Sequence, residues 1–484
     1  MKLGALKREK PLVQRQSLNK IFLQFGEGNF LRAFIDWMIH EMNTKIDFQA
    51  GVVIVQPLSS GLVDKLSSQN GLYNLYLNGI QNGDFISTHS LVDVIREGIN
   101  PYSDFDNYMK QAVNPDLRFI ISNTTEAGIQ FNPSDCFEDA PASSFPGKLT
   151  QLLFRRFRDL PYTQKLVFLP CELINKNGEK LKESIIRYIE HWDLGDEFHG
   201  WLDQSTIFCN TLVDRIVPGY PKKHVKQYWN ELGYEDELIV EGEIFHLWVI
   251  EGPQEVQELL PLQEAGLNVI FTNDLNYYRT RKVRILNGTH TALVPVAYLY
   301  GLDFVRESVE NEVVGSFAKR VIFEEIIPSL DGRKEELEQY AHEIIDRFRN
   351  PAIQHELIAI SLNSFSKFRT RVLPSILGYY EREKQLPRLL LTSFAALICL
   401  YRGERFGVSI PLKDEPSILD FMKSFWSEYI SSPEDLGRQV NKLLHHEIFG
   451  LKDLVSIPGA SALISEKILD IQTHGMAKTI ISSR

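Results

Sequence analysis

An apolar run, Ile21-Phe-Leu-Gln-Phe25, stops at Gly26-Glu-Gly28 and passes into Arg32–Met42, whose apolar residues recur at helical spacing. Gly51-Val-Val-Ile-Val55 follows, apolar almost throughout, as suits a strand of a parallel sheet covered on both faces. Strand, glycine turn, helix, strand is the unit from which a dinucleotide-binding α/β fold is built. Gly26 permits the tight turn and Gly28 the close approach of backbone to a pyrophosphate, which the following helix N-terminus, with Asn29 and Phe30, would hold. Leu31 stands where the full fingerprint has its third glycine, so a purely structural turn is the competing reading. Gln56 closes the second strand where an acidic partner for the adenine ribose is normally sought. No arginine stands there to meet a 2′-phosphate, which favours NAD over NADP.

A chain of 484 residues exceeds one core and predicts two to three domains. Its net charge of -11 argues against nucleic acid or an anionic membrane as partner. Cys136, Cys171, Cys209 and Cys399 are scattered, which indicates neither a zinc cage nor a disulfide framework. The basic opening segment lacks the apolar run of a secretory signal, and no later stretch offers an uninterrupted membrane span, so a cytoplasmic protein is expected.

Further apolar strands are predicted at Arg118–Asn123, Lys165–Cys171 and Ser205–Cys209, with β-like runs between 70 and 100 set apart by Asn70-Gly71 and Asn82-Gly83 as an antiparallel insertion. Glu126 follows one strand end, as a cofactor or substrate contact or as a turn cap. Asn210 follows another and would face the site, while Asp214 and Arg215 form either an ordinary ion pair or a brace behind it. Phe245–Ile250 and Val269–Thr272 complete the strands. Beyond 276 only helical patterns follow, including Lys282–Tyr300, Glu307–Ile327, Arg333–Phe348, Ala352–Ser364 and Leu389–Tyr401. The expected fold is an α/β N-terminal Rossmann-type domain with a mostly parallel sheet (18–275, after a flexible arm at 1–17), followed by an all-α C-terminal domain (276–484).

The first helix of that second half carries Lys282-Val-Arg-Ile-Leu-Asn287-Gly-Thr-His290. On an α-helical wheel Lys282, His290 and Asn287 fall at about 0°, 80° and 140°, within one broad arc shared with Val283 and Leu286. The competing reading is a solvated basic helix, since Arg279, Arg281 and Arg284 crowd the region. An ammonium, a carboxamide and an imidazole among apolar side chains suit metal-free interconversion of a carbonyl and an alcohol. Lys282 would give and take the proton, Asn210 and Asn287 would donate to the developing oxyanion, and His290 would hold a substrate hydroxyl or orient the lysine.

The segments GEGNFLRAF (26–34), NTLVDRIVP (210–218) and KVRILNGTH (282–290) resemble the polyol-specific long-chain dehydrogenases, also called the mannitol dehydrogenase family. The resemblance implies a Rossmann-type domain followed by a helical one, no zinc, NAD as cofactor, and catalysis by Lys282, Asn287 and His290, with Asn210 matching the asparagine ahead of Val-Asp-Arg. SNTTEAGI (122–129), PCELI (170–174), RFRNP (347–351), KFRTRVLP (367–374) and YRGER (401–405) are similar to the members of that family that reduce keto sugar acids. A hexuronate carries a carboxylate and needs a cation. Lys367, Arg369 and Arg371 are the candidates, Lys367 first because the family places a substrate-binding lysine in a comparable helix. Other members of the family, acting on a stereoisomeric keto acid or on uncharged polyols, and a non-catalytic NAD-binding sensor are the alternatives. Oligomeric state is not legible.

Overall fold

The computed structural model describes residues 4–5, 19–81, 83–125, 127–160, 164–352, 354–428 and 432–482. The chain separates into two compact units, one reaching to Asn78 and resuming at Ile86–Leu275, the other made of Gly79–Phe85 and Asn276–Arg484. The expected arm at 1–17 lies outside the described residues apart from Gly4–Ala5, which pair in parallel with Tyr234–Glu235.

In the first unit six parallel strands, β1 (Lys20–Phe25), β2 (Ala50–Val55), β3 (Ile95–Ile99), β4 (Leu117–Ser122), β5 (Leu166–Pro170) and β6 (Thr206–Phe208), stand in the order β3-β2-β1-β4-β5-β6. This is the doubly wound arrangement in which ligands bind beyond the strands' carboxyl ends, where the strand order reverses. Successive side chains alternate between two cores: Val52 and Ile54 pack on one face with helix α1, and Val53 and Val55 on the other with helices α2 (Phe145–Asp159) and α3 (Asn177–His191). That two-sided burial is why these strands read as continuous apolar runs rather than as alternating ones.

Ile95 belongs to β3 and so to the parallel sheet, although it falls within the stretch 70–100 expected as an insertion. The insertion itself is formed by Tyr73–Gln81 and Asp84–Val92, neighbours in a separate sheet that Val240–Glu243 joins in parallel. A third sheet holds β7 (Asn210–Asp214), β8 (Leu247–Glu251) and β9 (Val269–Thr272), with β7 antiparallel and β9 parallel to β8.

Helix α1 runs from Asn29 to Ile46 with a widened π turn at Arg32–Asp36. A widened turn loosens the carbonyls around it. Here Tyr73 Oη donates to the Arg32 carbonyl at 2.6 Å and Arg215 Nη1 to the Ala33 carbonyl at 2.6 Å. Arg215 is therefore not ion-paired to its neighbour Asp214 by default. It also donates to the carbonyls of Phe245 and Ile244 and stacks over Trp37, so it braces α1 from behind.

Among the described residues from Asn276 onward, the only named strands of the second unit are the two-residue pair Glu404–Arg405 and Val408–Ser409, and helices make up most of the rest. Helix α4 combines Leu275–Arg281, a π segment Lys282–Gly288, and Thr289–Tyr300. Helices α5 (Lys334–Phe348), α6 (Ser364–Arg371), α7 (Arg388–Leu400) and α8 (Ala460–Ser482, kinked at Gly475) follow. The expected helix Ala352–Ser364 shrinks to Leu357–Ile360. Its start is captured instead by a bridge between Phe304 and Glu356, with Val305 N donating to His355 O and Leu357 N to Asp303 O. The expected helix Glu307–Ile327 breaks at Asn311, whose side chain caps the next helix through Val313 N and Val314 N.

Candidate active site

The dinucleotide turn lies between β1 and α1. Gly26 has φ +126°, and a Cβ there would stand 3.2 Å from Leu31 Cδ1 and 3.3 Å from the Asn123 carbonyl oxygen, so only glycine makes this turn without strain. Above Gly28 nothing lies within 4 Å of a Cβ position. A constrained glycine followed by an open one at a helix start is a cradle into which a pyrophosphate fits.

The neighbouring candidates serve this turn from inside. Asn29 Oδ1 accepts from Arg32 Nη2 at 2.7 Å, and the Phe30 ring stacks on Phe34 at 5.1 Å against the core. These two side chains are thus held by Arg32 and Phe34 beside the turn. Gln56 is buried, with Nε2 donating to Leu58 O at 2.8 Å and Oε1 accepting from Val63 N, so it shapes the loop after β2 rather than reaching outward. Glu27 accepts from Leu62 N in the same loop. Gly61 fits there only because it has no Cβ, which would meet Glu27 Oε1 at 2.1 Å.

Glu126 lies outside the described residues. Glu172 accepts from Thr124 N, Thr124 Oγ1 and Ser122 Oγ and so fixes the end of β4, while burial raises its affinity for a proton. Two leucines that sequence reasoning passed over, Leu58 (65% exposed) and Leu173 (64% exposed), offer apolar surface on the loops after β2 and β5.

Asn210, expected as a donor facing the site, is a buried side chain whose hydrogen-bonding groups are all engaged within the first unit. Its Oδ1 accepts from Gly178 N at 3.1 Å and Glu179 N at 3.2 Å, at the start of α3. Its Nδ2 donates to Glu251 Oε2 at 2.8 Å and to Glu179 Oε1 at 3.1 Å. Glu251 in turn accepts from Leu275 N, the first residue of α4.

In the second unit, Lys282, Asn287 and His290 are half-buried on α4. Because Lys282–Gly288 is a π segment, with i to i+5 hydrogen bonds and a wider turn, Asn287 stands nearer the side of Lys282 than it would on an α-helix. The solvated basic helix is not what forms. Arg281 is buried, paired with Glu336 at 2.7 Å and lying over the rings of Tyr278 and Tyr340; Arg284 donates to Ser375 Oγ at 3.0 Å.

His290 is the most perturbed of the three. Its ring stacks on Phe348 with centroids 4.1 Å apart and planes 17° apart, and meets His355 edge-on at 6.0 Å. Burial first, then the charges of His355, Arg347, Arg371 and Lys367, push its pKa down to about 3. It is a neutral imidazole with Nε2 enclosed and unpartnered among the described residues. An enclosed polar atom left unpaired costs about 1–3 kcal/mol, which a ligand hydroxyl at that nitrogen would recover.

Lys367 and Arg371 stand one helical turn apart on α6, both half-buried, and burial draws both toward losing the proton. Lys367 Nζ donates to the Ile360 carbonyl at 2.8 Å. Arg369 is not brought together with them: it is exposed and lies over Gly450. Arg347 and His355, which complete the cationic wall, come from α5 and the loop after it, and no local pattern ties them to residue 290. Among the described residues no helix is long and apolar enough to cross a membrane, and no group of three or more His, Cys, Asp or Glu is arranged to hold a metal ion.

Residues 20–264 match the mannitol dehydrogenase Rossmann domain and residues 274–467 the mannitol dehydrogenase C-terminal domain. The chain belongs to the mannitol dehydrogenase family. Among its relatives are the altronate oxidoreductases of Bacteroides thetaiotaomicron, 45% identical over 99% of both chains, and of Bacillus subtilis, 44% identical over 95% of this chain and 94% of that one. The fold is shared with D-sorbitol dehydrogenase (TM-score 0.80, 21% identity, 98% and 100% of the two chains). It is shared also with Pseudomonas fluorescens mannitol 2-dehydrogenase in a ternary complex with NAD and D-mannitol (TM-score 0.67, 20% identity, 100% and 99% of the two chains).

Proposed function

We propose that the chain is an NAD-dependent, metal-independent oxidoreductase that interconverts D-tagaturonate and D-altronate. The observation that carries this reading is the half-buried cationic wall of Lys367 and Arg371 facing a neutral His290, on the same unit as Lys282 and Asn287. A neutral polyol gives no reason to gather such charge, whereas a sugar acid brings the carboxylate that answers it. Two altronate oxidoreductases that align with nearly the whole chain support the same choice.

Gly26 and Gly28, with the N-terminus of α1, would hold the pyrophosphate of NAD, which when bound exchanges a hydride with the substrate carbon. Lys282 protonates the carbonyl oxygen as it is reduced and takes the proton back in the reverse direction. Asn287, one π turn away, donates an amide hydrogen to that oxygen as charge builds on it. His290 engages a neighbouring hydroxyl through Nε2, and Lys367 and Arg371 hold the carboxylate. Asn210 acts by fixing Glu179, Glu251 and the start of α3.

The test follows NADH absorbance with D-tagaturonate, D-fructuronate and D-fructose side by side, with NADPH as the cofactor control. Turnover with D-tagaturonate is expected. Preference for fructuronate or fructose would reassign the substrate, and binding of NADH without any turnover would make the chain a sensor. Lys282→Ala should lose about a thousandfold in turnover, the scale of a lost general acid, while NADH still binds. Retained turnover would show that another group moves the proton.

A further inference from the structure

The segment Arg347-Phe-Arg-Asn-Pro351 has no part in the chemistry above, yet α5 ends by placing Phe348 against His290, with the charge of Arg347 acting on the same ring. Phe348 is buried and lies face to face with the imidazole at 4.1 Å. An imidazole held flat against a phenyl ring keeps a fixed plane, so the plane in which its nitrogens point is set by the stack. Arg347, the preceding residue, is 5% exposed. From the other side His355 closes the ring edge-on, its own backbone pinned by the hydrogen bond from Val305 N. What this enclosure leaves is one buried ring nitrogen, Nε2, with no partner among the described residues.

We propose that Phe348 and Arg347 are positioning residues for His290, aiming its Nε2 at a hydroxyl of the substrate. This rests on the reading of the chain as a sugar-acid oxidoreductase. The stack supplies direction and the guanidinium supplies charge. The cations facing His290 are Arg347 from α5 and Lys367 and Arg371 from α6, with His355 from the loop between, and no carboxylate is among the groups that act on it. Each opposes a proton on the imidazole, so His290 works uncharged across the pH range of catalysis. A neutral ring can accept from a hydroxyl or donate to it, and an imidazolium could only donate.

Removing the stack and removing the charge should have different signatures. Phe348→Leu keeps an apolar side chain but no ring face. It should lower kcat about tenfold, the scale of one aromatic pair, with the affinity for NADH in fluorescence titration unchanged. Phe348→Tyr should restore kcat to within about twofold, because the face returns. Arg347→Gln should move the titration of His290 upward from about 3, part of the way toward its ordinary value because burial, the larger cause, stays in place, and Arg347→Lys should return it. The charge effect has a readout free of turnover: in NMR the His290 signals, identified by their loss in His290→Gln, should titrate at a higher pH in Arg347→Gln than in the wild type or in Arg347→Lys.

Wild-type kcat in Phe348→Leu would overturn the positioning role, as would unchanged His290 titration in Arg347→Gln. If Phe348→Leu does not fold, Phe348→Met makes the same test. Absence of any sugar-acid turnover in the wild type would sink the functional reading instead, and the NMR titration would still decide whether Arg347 governs His290.

Discussion

Asn210→Ala is the sharpest test of the first unit, because every hydrogen-bonding group of that carboxamide is accounted for. Its oxygen takes the N–H groups of Gly178 and Glu179 at a helix start, where Gly178 N also reaches Asn177 Oδ1 at 3.0 Å. Losing such a cap costs about 1 kcal/mol. Its nitrogen donates to Glu251 at 2.8 Å and Glu179 at 3.1 Å, and a hydrogen bond to a charged acceptor contributes about 1.5–3 kcal/mol. Glu251 retains Leu275 N, and Glu179 is exposed enough to find water, so the nitrogen's share belongs at the low end. Together the loss is about 2–3 kcal/mol, or about 4–12 °C in the thermal midpoint of a unit this size. Asn210→Asp sharpens the test. It keeps an acceptor for the two N–H groups but sets a third carboxylate beside Glu179 and Glu251, so its loss should be greater at pH 8 than at pH 5.5, where the new carboxyl can take up a proton. Differential scanning fluorimetry at the two pH values reads both effects. An Asn210→Ala protein that melts with the wild type would refute the accounting and return the carboxamide to the role of a free donor.

Asp36, buried in the π turn of α1, has its pKa raised to about 7 by burial, with Arg32 opposing the rise. A carboxyl that holds its proton more tightly when folded adds stability that is fully present below the unfolded value near 3.8 and is lost as pH rises through about 7. Asp36→Asn should therefore be more stable than wild type at pH 8, by at most about 4 kcal/mol, with the gain shrinking toward pH 4. Urea midpoints that differ equally at all pH values would count against it. Gly26→Ala forces a positive φ on a residue with a side chain and pushes Cβ toward Leu31 and the Asn123 carbonyl. It should weaken NADH binding about tenfold or more, on the scale of 1–3 kcal/mol of backbone strain, and an unchanged NADH titration would show that this turn does not seat the cofactor.

The strands of the first unit were legible because a strand buried on both faces is apolar at nearly every position, as in Gly51–Val55. The same rule misplaced β3: Val92 and Val94 extend the apolar run into Ile95, and nothing local marks where one sheet ends and the next begins. The helix expected at Ala352–Ser364 had the right period, but its first turn is spent on the bridge to Phe304, a pairing with a segment some fifty residues away that periodicity cannot register. Lys367 and Arg371 were legible as an i, i+4 pair, and the same wheel turns Arg369 away from them. Arg347 and His355 were not legible as neighbours of His290, since their approach depends on where α5 stops. Asn210 was found as a special residue, but its role as a helix-start anchor depends on Gly178, which lies against the Cys209 carbonyl, where a Cβ would come within 2.2 Å.

The spacing Lys-x4-Asn shows how a wheel drawn for a straight α-helix differs from the backbone that forms. On a straight α-helix five residues carry Asn287 about 140° from Lys282, nearly to the opposite side, and only a broad arc holds both. The widened turn at Lys282–Gly288 narrows that separation, because its hydrogen bonds run i to i+5 and each residue turns the chain through a smaller angle than in an α-helix. Gly288 then closes the segment where α6 crosses: a Cβ there would press on the Arg371 carbonyl oxygen at 3.0 Å, so the absent side chain is what lets α6 come close. Two residues further on, His290 feels the charge of Arg371 and Lys367 from that same helix. The π turn thus draws Asn287 toward the side of Lys282, and the glycine at its end brings the cationic helix up to the histidine.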